Sequence, residues 1–430
     1  LLNPKNGKLI SVSFFANLFS LKPLNRVILI ISLAIAMDID QRKIANIHSF
    51  YSDFDEMSNH LLGLKEKFPS GLIIPVYGSD IKSPGLTKII SEINQCTYLS
   101  KVFIALQTQT PEDYDEALRL SRSFKVPCDV IWCNKPDVLA VFEELKGKGL
   151  DVTDLSGKGK DVWIAMGIAS IDLFAFAVHD ADIVSYTKML PTRLLYPVIE
   201  PNLDFFFSKG YYARINQDTR KLYGRIHRLF VNPVLEVLQE KLRYSKFLTY
   251  LQSFSYPLAG EIAMYTDLAT HLRVPADWGL ELGLLSEVYR NASYGRICQV
   301  DLGFYDHRHK TINGNGLLKT AEDSFVTLLR TLTETENVDV SEPFLTSLQV
   351  AYRRLAQDKI RQYHADATCN RLAFDRHEEE VNVDSLCTVI QSGGKKYLKD
   401  PIKTQLPDWL RAMAAMPNIR EKLRDKAIEQ

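Results

Sequence analysis

Between residues 71 and 180 the chain alternates between two hydrophobic periods, and no other feature narrows its fold so far. Residues 71–77 (GLIIPVY), 101–106 (KVFIAL), 128–133 (CDVIWC) and 173–179 (LFAFAVH) are short apolar runs, the pattern of strands buried on both faces. Between them the period changes. In 84–96, Leu86, Ile89, Ile90 and Ile93 fall on one helical face. Residues 111–124 open with Pro111, Glu112 and Asp113, where a helix N-terminus favours proline and acid. Residues 160–171 make a third helix. Strand and helix in alternation predict an α/β fold with an open, mostly parallel sheet. Such sheets bind ligands at the carboxyl ends of their strands.

Residues 184–310 are mixed and rich in aromatic side chains and arginine. From 317 onward the pattern is helical: 317–332, 343–374 and a stretch from Trp409. The polar segment 337–342 is the best boundary, and Gly393-Gly394-Lys395-Lys396 is expected to be a loop between later helices. Residues 352–374 read as a packing and dimerisation element, and the charges of 375–380 (DRHEEE) as a solvated helix face. Apolar residues are 46% and charged residues 24% of the 430 positions, which excludes a disordered or rod-like chain. Basic and acidic residues number 52 each, so no bulk positive charge holds this protein to nucleic acid. The six cysteines lie far apart without zinc-ligand spacing, and we expect them reduced in a cytoplasmic protein.

Residues 1–36 stand apart. They contain Lys5, Lys8, Lys22 and Arg26 and no acid, and they end in an apolar run, 27–36, before Met37. The pattern is that of a secretory signal, but the run is too short to span a bilayer. Residue 1 is leucine, which favours a start at Met37 with 1–36 an upstream extension. From Met37 the chain reads as soluble, mildly acidic and without a membrane span.

Five clusters carry chemistry. Asp180-Ala181-Asp182 directly follows an apolar strand. In extended backbone its carboxylates point the same way, and they can hold a hard divalent cation while leaving positions for phosphates and water. Three similar pairs, Asp38/Asp40, Asp53/Asp55 and Asp113/Asp115, lack that context. Gly157-Lys158-Gly159-Lys160 opens a helix, where glycines let the backbone approach an anion and free N–H groups face it. Its spacing is not that of a P-loop, and a flexible turn with solvated lysines is the plainer alternative. Tyr223-Gly224-Arg225-Ile226-His227-Arg228 suits a phosphate or carboxylate, or is a surface basic cluster. Asp306-His307-Arg308-His309 puts two histidines on one side of an extended segment, for a metal or an anion. Pro257 to Glu261 and Asp277 to Glu281 each end in a glutamate close to a glycine, able to hold a hydroxyl or to cap a helix. A metal-binding pair, a glycine-lysine loop and a parallel sheet fit a nucleotide diphosphate, and a second basic site fits an anionic co-substrate. That is the equipment of a nucleotide-sugar transferase.

With these motifs in order, the chain resembles the glucosyl-3-phosphoglycerate synthases, retaining glycosyltransferases of GT-A fold. The resemblance is carried by GKG at 157–159, DAD at 180–182, GRIHRLFVNPVL at 224–235, YPLAGE at 256–261, DWGLELGLL at 277–285 and QVDLGFYDHRH at 299–309. It implies a Rossmann-like, mostly parallel sheet flanked by helices, with a helical C-terminal extension. The implied divisions are 1–36 as extension or leader, 37–235 as the nucleotide-sugar half, 236–336 as the acceptor half and 337–430 as the helical region. Asp182 and His307 would ligate Mg²⁺ or Mn²⁺. Pro75, Gly157, Lys158, Asp180, Ala181 and Asp182 would bind the donor, with Glu281 near the sugar hydroxyls. Gly224, Arg225, His227 and His309 would bind the acceptor. Asp182, Glu281 and Lys158 are the residues expected to matter most for turnover, and a homodimer fits the family.

The chain also departs from the family pattern. After Pro75 the family often reads Ala-Leu-Asn-Glu-Glu, whereas here Val76-Tyr77-Gly78-Ser79-Asp80 follows, which leaves UDP and GDP both open. His227 stands where threonine is common and His309 where asparagine is common. The expected reaction moves glucose to the 2-hydroxyl of 3-phosphoglycerate, in the synthesis of the compatible solute glucosylglycerate. The alternatives are a glucosyl- or mannosyl-transferase using free glycerate, and a nucleotide-sugar-binding protein without turnover.

Overall fold

The apolar runs become the centre of one sheet. The computed structural model describes residues 39, 41–216, 218–306, 315–402 and 405–428. The chain divides into two units, Leu1–Arg42 and Lys43–Gln430, and the sheet with its helices belongs to the second. The strands are β1 (Ala45–Ile47), β2 (Ser70–Tyr77), β3 (Lys101–Gln107), β4 (Cys128–Trp132), β5 (Ala175–Val178), β6 (Phe207–Arg214), β7 (Ile262–Tyr265) and β8 (Ile297–Tyr305). Among the described residues they form one sheet in the order β1-β8-β6-β7-β5-β2-β3-β4. All neighbours are parallel except β7, which runs against both β5 and β6. The α/β class, the mostly parallel sheet and the helical C-terminal region are therefore as expected.

Register explains the unbroken apolar runs. Gly71 pairs with Lys101 and Tyr77 with Gln107 along β2 and β3. Ile73 and Phe103 enter the core on one face, while Leu72, Ile74, Val102 and Ile104 enter the core on the other. Successive strand side chains point to opposite faces, so both faces must be apolar when both are covered. The helix Pro84–Ile93, capped by the Ser83 hydroxyl, buries the four residues expected on its inner face. Thr110 caps Pro111–Ser121 in the same way.

The helix Lys158–Asp172 begins two residues earlier than expected and is buried from Gly159 through Ala169. It packs on β2 and β3 and also meets the C-terminal helix Ile419–Ala427. Trp163 stacks on Trp409 at 4.1 Å, and a Cβ on Gly167 would fall 2.1 Å from the Trp409 ring.

Two expectations for the C-terminal region fail. Residues 393–396 are not a loop, because the helix Arg376–Lys399 runs through them. A Cβ on Gly393 would lie 3.0 Å from Phe325, and one on Gly394 would lie 2.4 Å from Leu345. The glycines let this helix lie against Asn315–Glu336 and Glu342–Cys369. Nor are residues 375–380 simply solvated: Glu379 is buried, and both it and Glu378 hold cations. Among the described residues no helix is long and apolar enough to cross a membrane.

Candidate functional site

The chain runs from β2 outward to β3 and β4, then returns to place β5 on the other side of β2. The strand order reverses there, and the crevice beyond the carboxyl ends of two such strands is the usual ligand position in an open α/β sheet. Tyr77 ends β2 and Val178 ends β5, with His179, Asp180, Ala181 and Asp182 following at once. The aspartate pair thus lies at the strand-order reversal. Asp180 to Asp182 run into a turn, not the extended backbone expected. Asp53 and Asp113 serve other ends, as a helix cap and as part of a helix. Pro75 lies inside β2, which continues two residues beyond it.

Lys158 ties the cluster together. Gly157 has φ 121°, a conformation glycine tolerates, and a Cβ there would meet Ala276 O at 2.7 Å. The Gly159 N–H donates to Ala276 O at 3.0 Å, so the glycine-lysine loop lies against the segment that leads into the helix Leu280–Asn291. This brings the Lys158 ammonium to 2.7 Å from Asp180 Oδ1 and 3.3 Å from Glu281 Oε1. Burial disfavours its charge, but Asp180, Glu281 and Glu261 outweigh burial and raise its pKa, so it stays protonated. Glu281 lies in the first turn of its helix, as the capping reading allows, and it also takes this lysine. The carboxylates of Asp180 and Asp182 are hard oxygen donors, the ligand type that suits Mg²⁺ or Mn²⁺. A group of three metal-holding side chains is not found among the described residues. His307 and His309 lie outside them.

Two more residues join this cluster: Lys209, which sequence reasoning missed, and Glu261, which it read as holding a hydroxyl or capping a helix. Lys209, on β6, is fully buried, and its ammonium donates to Ala259 O at 2.6 Å. Burial pushes its pKa down to about 8, against the pull of Glu281 and Glu261. A cavity of about 20 Å³, the size of one water, lies between Lys158, Lys209, Gly260 and Glu281. Glu261 is also fully buried and caps no helix, because it precedes β7. It accepts the Tyr212 hydroxyl at 2.8 Å and the Tyr305 hydroxyl at 2.7 Å. Burial first, and Asp180 second, raise its pKa. Gly260 is wedged against Asp180, where a Cβ would lie 3.0 Å from Oδ2.

The tyrosines connect this cluster to the basic motif. Tyr212 stacks on Tyr305 at 4.0 Å and tilts against Tyr256 at 5.0 Å, and Tyr256 tilts against His227 at 4.7 Å. Gly224, with φ 76°, sits beside the Tyr256 hydroxyl. His227 and Arg228 lie on a π-helical turn, Ile226–Val231. Burial, and then Arg228, push the His227 pKa down to about 4, so the ring is neutral at pH 7. Arg228 is buried in a two-pronged pair with Glu379 at 2.8 and 3.1 Å, and it lies over the Tyr363 ring. Arg225 faces Glu378 at 3.5 Å, and Lys221 faces the same glutamate at 2.7 Å. The structure therefore brings Lys158, Asp180 and Glu281 into one cluster and Gly224, Arg225 and His227 into a second.

Beyond β2 and β3 a cleft of about 340 Å³ opens between Tyr77, Ser79, Gln107, Thr108 and Asp113. A larger groove, about 1160 Å³, lies between the helices Asn232–Lys241 and Glu342–Cys369, and none of the residues above lines it.

No family model matches the chain. The glucosyl-3-phosphoglycerate synthase of Methanococcoides burtonii is 48% identical over 395 residues, covering 91% of this chain and 98% of that protein. The enzyme of the same name from Persephonella marina is 38% identical over 366 residues, covering 84% and 89%. A crystal structure of glucosyl-3-phosphoglycerate synthase from Mycobacterium tuberculosis, in complex with Mn²⁺, UDP and phosphoglyceric acid, aligns over 67% of this chain and 86% of that one. Its sequence identity is 18% and its TM-score 0.49.

Proposed function

The chain belongs to the glucosyl-3-phosphoglycerate synthases, and from that premise we propose that it moves glucose from a nucleotide sugar to the 2-hydroxyl of 3-phosphoglycerate, with retention. The observation that carries this reading is the pair of clusters. A charged lysine and three carboxylates stand at the strand-order reversal, and a second cationic turn lies beyond the tyrosines. In this reading Asp182 would hold a divalent ion with His307, and Asp180 would lie close to the ribose or the ion. The ion supplies charge neutralisation on the departing diphosphate. Lys158 contacts the same diphosphate and keeps Glu281 beside the sugar hydroxyls. Gly157 gives the backbone close approach to the phosphates, and Pro75 and Ala181 line the nucleotide. Arg225 with Gly224, and His227 with His309, receive the acceptor. We assign no side chain as nucleophile or general base.

A second reading has one observation in its favour. His227 is neutral at pH 7, so beside Arg225 it adds a hydrogen-bonding group and no charge. That suits free glycerate at least as well as a phosphate ester. We further propose a cytoplasmic homodimer, each chain of which has a nucleotide-sugar half, 37–235, an acceptor half, 236–336, and a helical region, 337–430.

The test is a panel of UDP- and GDP-linked glucose and mannose against 3-phosphoglycerate and glycerate, with and without Mg²⁺ or Mn²⁺. We expect glucose transfer to 3-phosphoglycerate that needs the ion. Asp182→Ala should abolish turnover with the circular-dichroism spectrum and melting temperature unchanged. Turnover near wild type in that variant would sink the metal assignment, and donor binding without product under any acceptor would sink the enzyme reading.

A further inference from the structure

Two adjacent glutamates open the helix Arg376–Lys399, and they meet the basic motif in opposite ways. Glu379 and Arg228 are both almost fully buried and make two parallel hydrogen bonds, and the Arg228 Nε–H also donates to Tyr223 O at 2.9 Å. Removing one partner of such a pair strands a buried charge, so this contact is a fixed anchor. Glu378 is 37% exposed and splits its carboxylate between Lys221 at 2.7 Å and Arg225 at 3.5 Å. Half-exposed pairs of this kind are weak, because water screens them and two long side chains lose freedom. The backbone repeats the anchoring. The Ala373 N–H donates to Arg220 O at 2.9 Å, and residues 221 and 373 form a β-bridge. The helix start is thus held against the basic loop at Arg228 and Arg220, while Glu378 itself is held loosely.

We propose that Glu378 is a tethered stand-in for the anionic acceptor, occupying Arg225 and Lys221 until the acceptor displaces it. This rests on the reading that Arg225 binds the acceptor. An incoming carboxylate or phosphate offers the two cations the same oxygen chemistry as Glu378. Once displaced, Glu378 turns to solvent in the first turn of a helix whose N-cap is Asp375, a position where negative charge is favoured. The exchange therefore strands no buried charge, and the cations are held in place before the acceptor arrives. Glu378 acts through Arg225 and Lys221 and is a positioning residue.

The experiment measures KM for 3-phosphoglycerate and kcat in the full chain carrying Glu378→Gln, with Arg225→Ala alongside. Removing the tethered charge removes a competitor. We expect the acceptor KM of Glu378→Gln to fall about 2- to 5-fold, the range that corresponds to a half-exposed pair, with kcat and donor KM within twofold. The shorter Glu378→Asp keeps the charge at the helix start and should give an intermediate KM, so the test survives poor folding of the glutamine variant. An acceptor KM that is unchanged or raised in both variants overturns the proposal, because a purely structural glutamate would raise it. Arg225→Ala tests the premise separately. If it leaves the acceptor KM unchanged, the acceptor assignment falls. If it raises KM while Glu378→Gln does not lower it, only the stand-in falls.

Discussion

His179 and His227 are both buried as neutral rings, and this sets how the protein responds to acid. His179 directly precedes Asp180; its Nδ1 pairs with the Tyr186 hydroxyl at 2.9 Å, and its Nε2 is buried without a partner. Burial lowers its pKa to about 3, and that of His227 to about 4, from an ordinary 6.5. A folded pKa below the unfolded one means that the unfolded chain gains protons first. Each ring's contribution is therefore complete above pH 6.5 and is lost as pH falls, toward about 3 for His179 and about 4 for His227. Urea unfolding at pH 7 and pH 5 should show the wild type losing about 1 to 2 kcal/mol more than either His179→Gln or His227→Gln. An equal loss in wild type and variant would contradict the buried neutral rings. At this scale some residues were legible in sequence and others were not. Lys158 stood out because its neighbours are glycines. Lys209 did not, because what buries it are strands brought in from residues 262–265 and 297–305. Glu261 lay inside a recognised motif, yet its partners Tyr212 and Tyr305 are more than forty residues away on either side.

The glycine-lysine loop works as an element because it can touch its neighbour's backbone. A Cβ on Gly159 would fall 2.0 Å from Pro275 O, and a carbonyl held in the chain cannot swing aside as a flexible side chain can. Gly159→Ala should push Lys158 away from Glu281 and lower kcat/KM by about 100-fold, the loss typical of an ångström-scale misplacement. The same change at Gly295, where nothing lies within 4 Å, should leave kcat/KM within twofold. Steady-state kinetics on the two variants decides the matter. The run 71–180 was readable because its strands lie in one parallel block, where burial on both faces makes the apolar runs continuous. Residues 207–214 (FSKGYYAR) gave no such signal: as β6 they bury their first four positions and leave the rest partly exposed. Residues 393–396 misled in the other direction, since two glycines and two lysines spell a turn unless a neighbouring helix needs the space.

For the whole molecule, the C-terminal region completes the body. Trp409 stacks on Trp163, the Trp409 indole N–H donates to Trp163 O at 3.1 Å, and the Trp163 indole N–H donates to Pro407 O at 2.8 Å. The Tyr352 hydroxyl donates to Leu229 O at 2.7 Å, directly behind the basic turn. Trp409→Ala should cost about 3 to 5 kcal/mol in urea unfolding, as large-to-small changes of buried aromatics do. A loss under about 1 kcal/mol would mean that the tail is not part of the core. Helical periodicity announced these segments, but nothing local announced what they cover, because a helix pattern shows which face is apolar and not against what it lies. The sheet carries a consequence for synthesis. Among the described strands β1 is an edge strand whose sheet partner is β8, so the earliest of the eight to be made waits for the latest. Domains fold as units once their parts are present, and here six other strands lie between two paired ones along the chain. A nascent chain that has made β2 to β5 already holds Lys158 and Asp180. It has neither Glu261 nor Glu281, and Arg228, made later, lacks its carboxylate partner until Glu379 emerges. The cluster around Lys158 is complete only after Glu281 has been made, and the Arg228 pair only after Glu379.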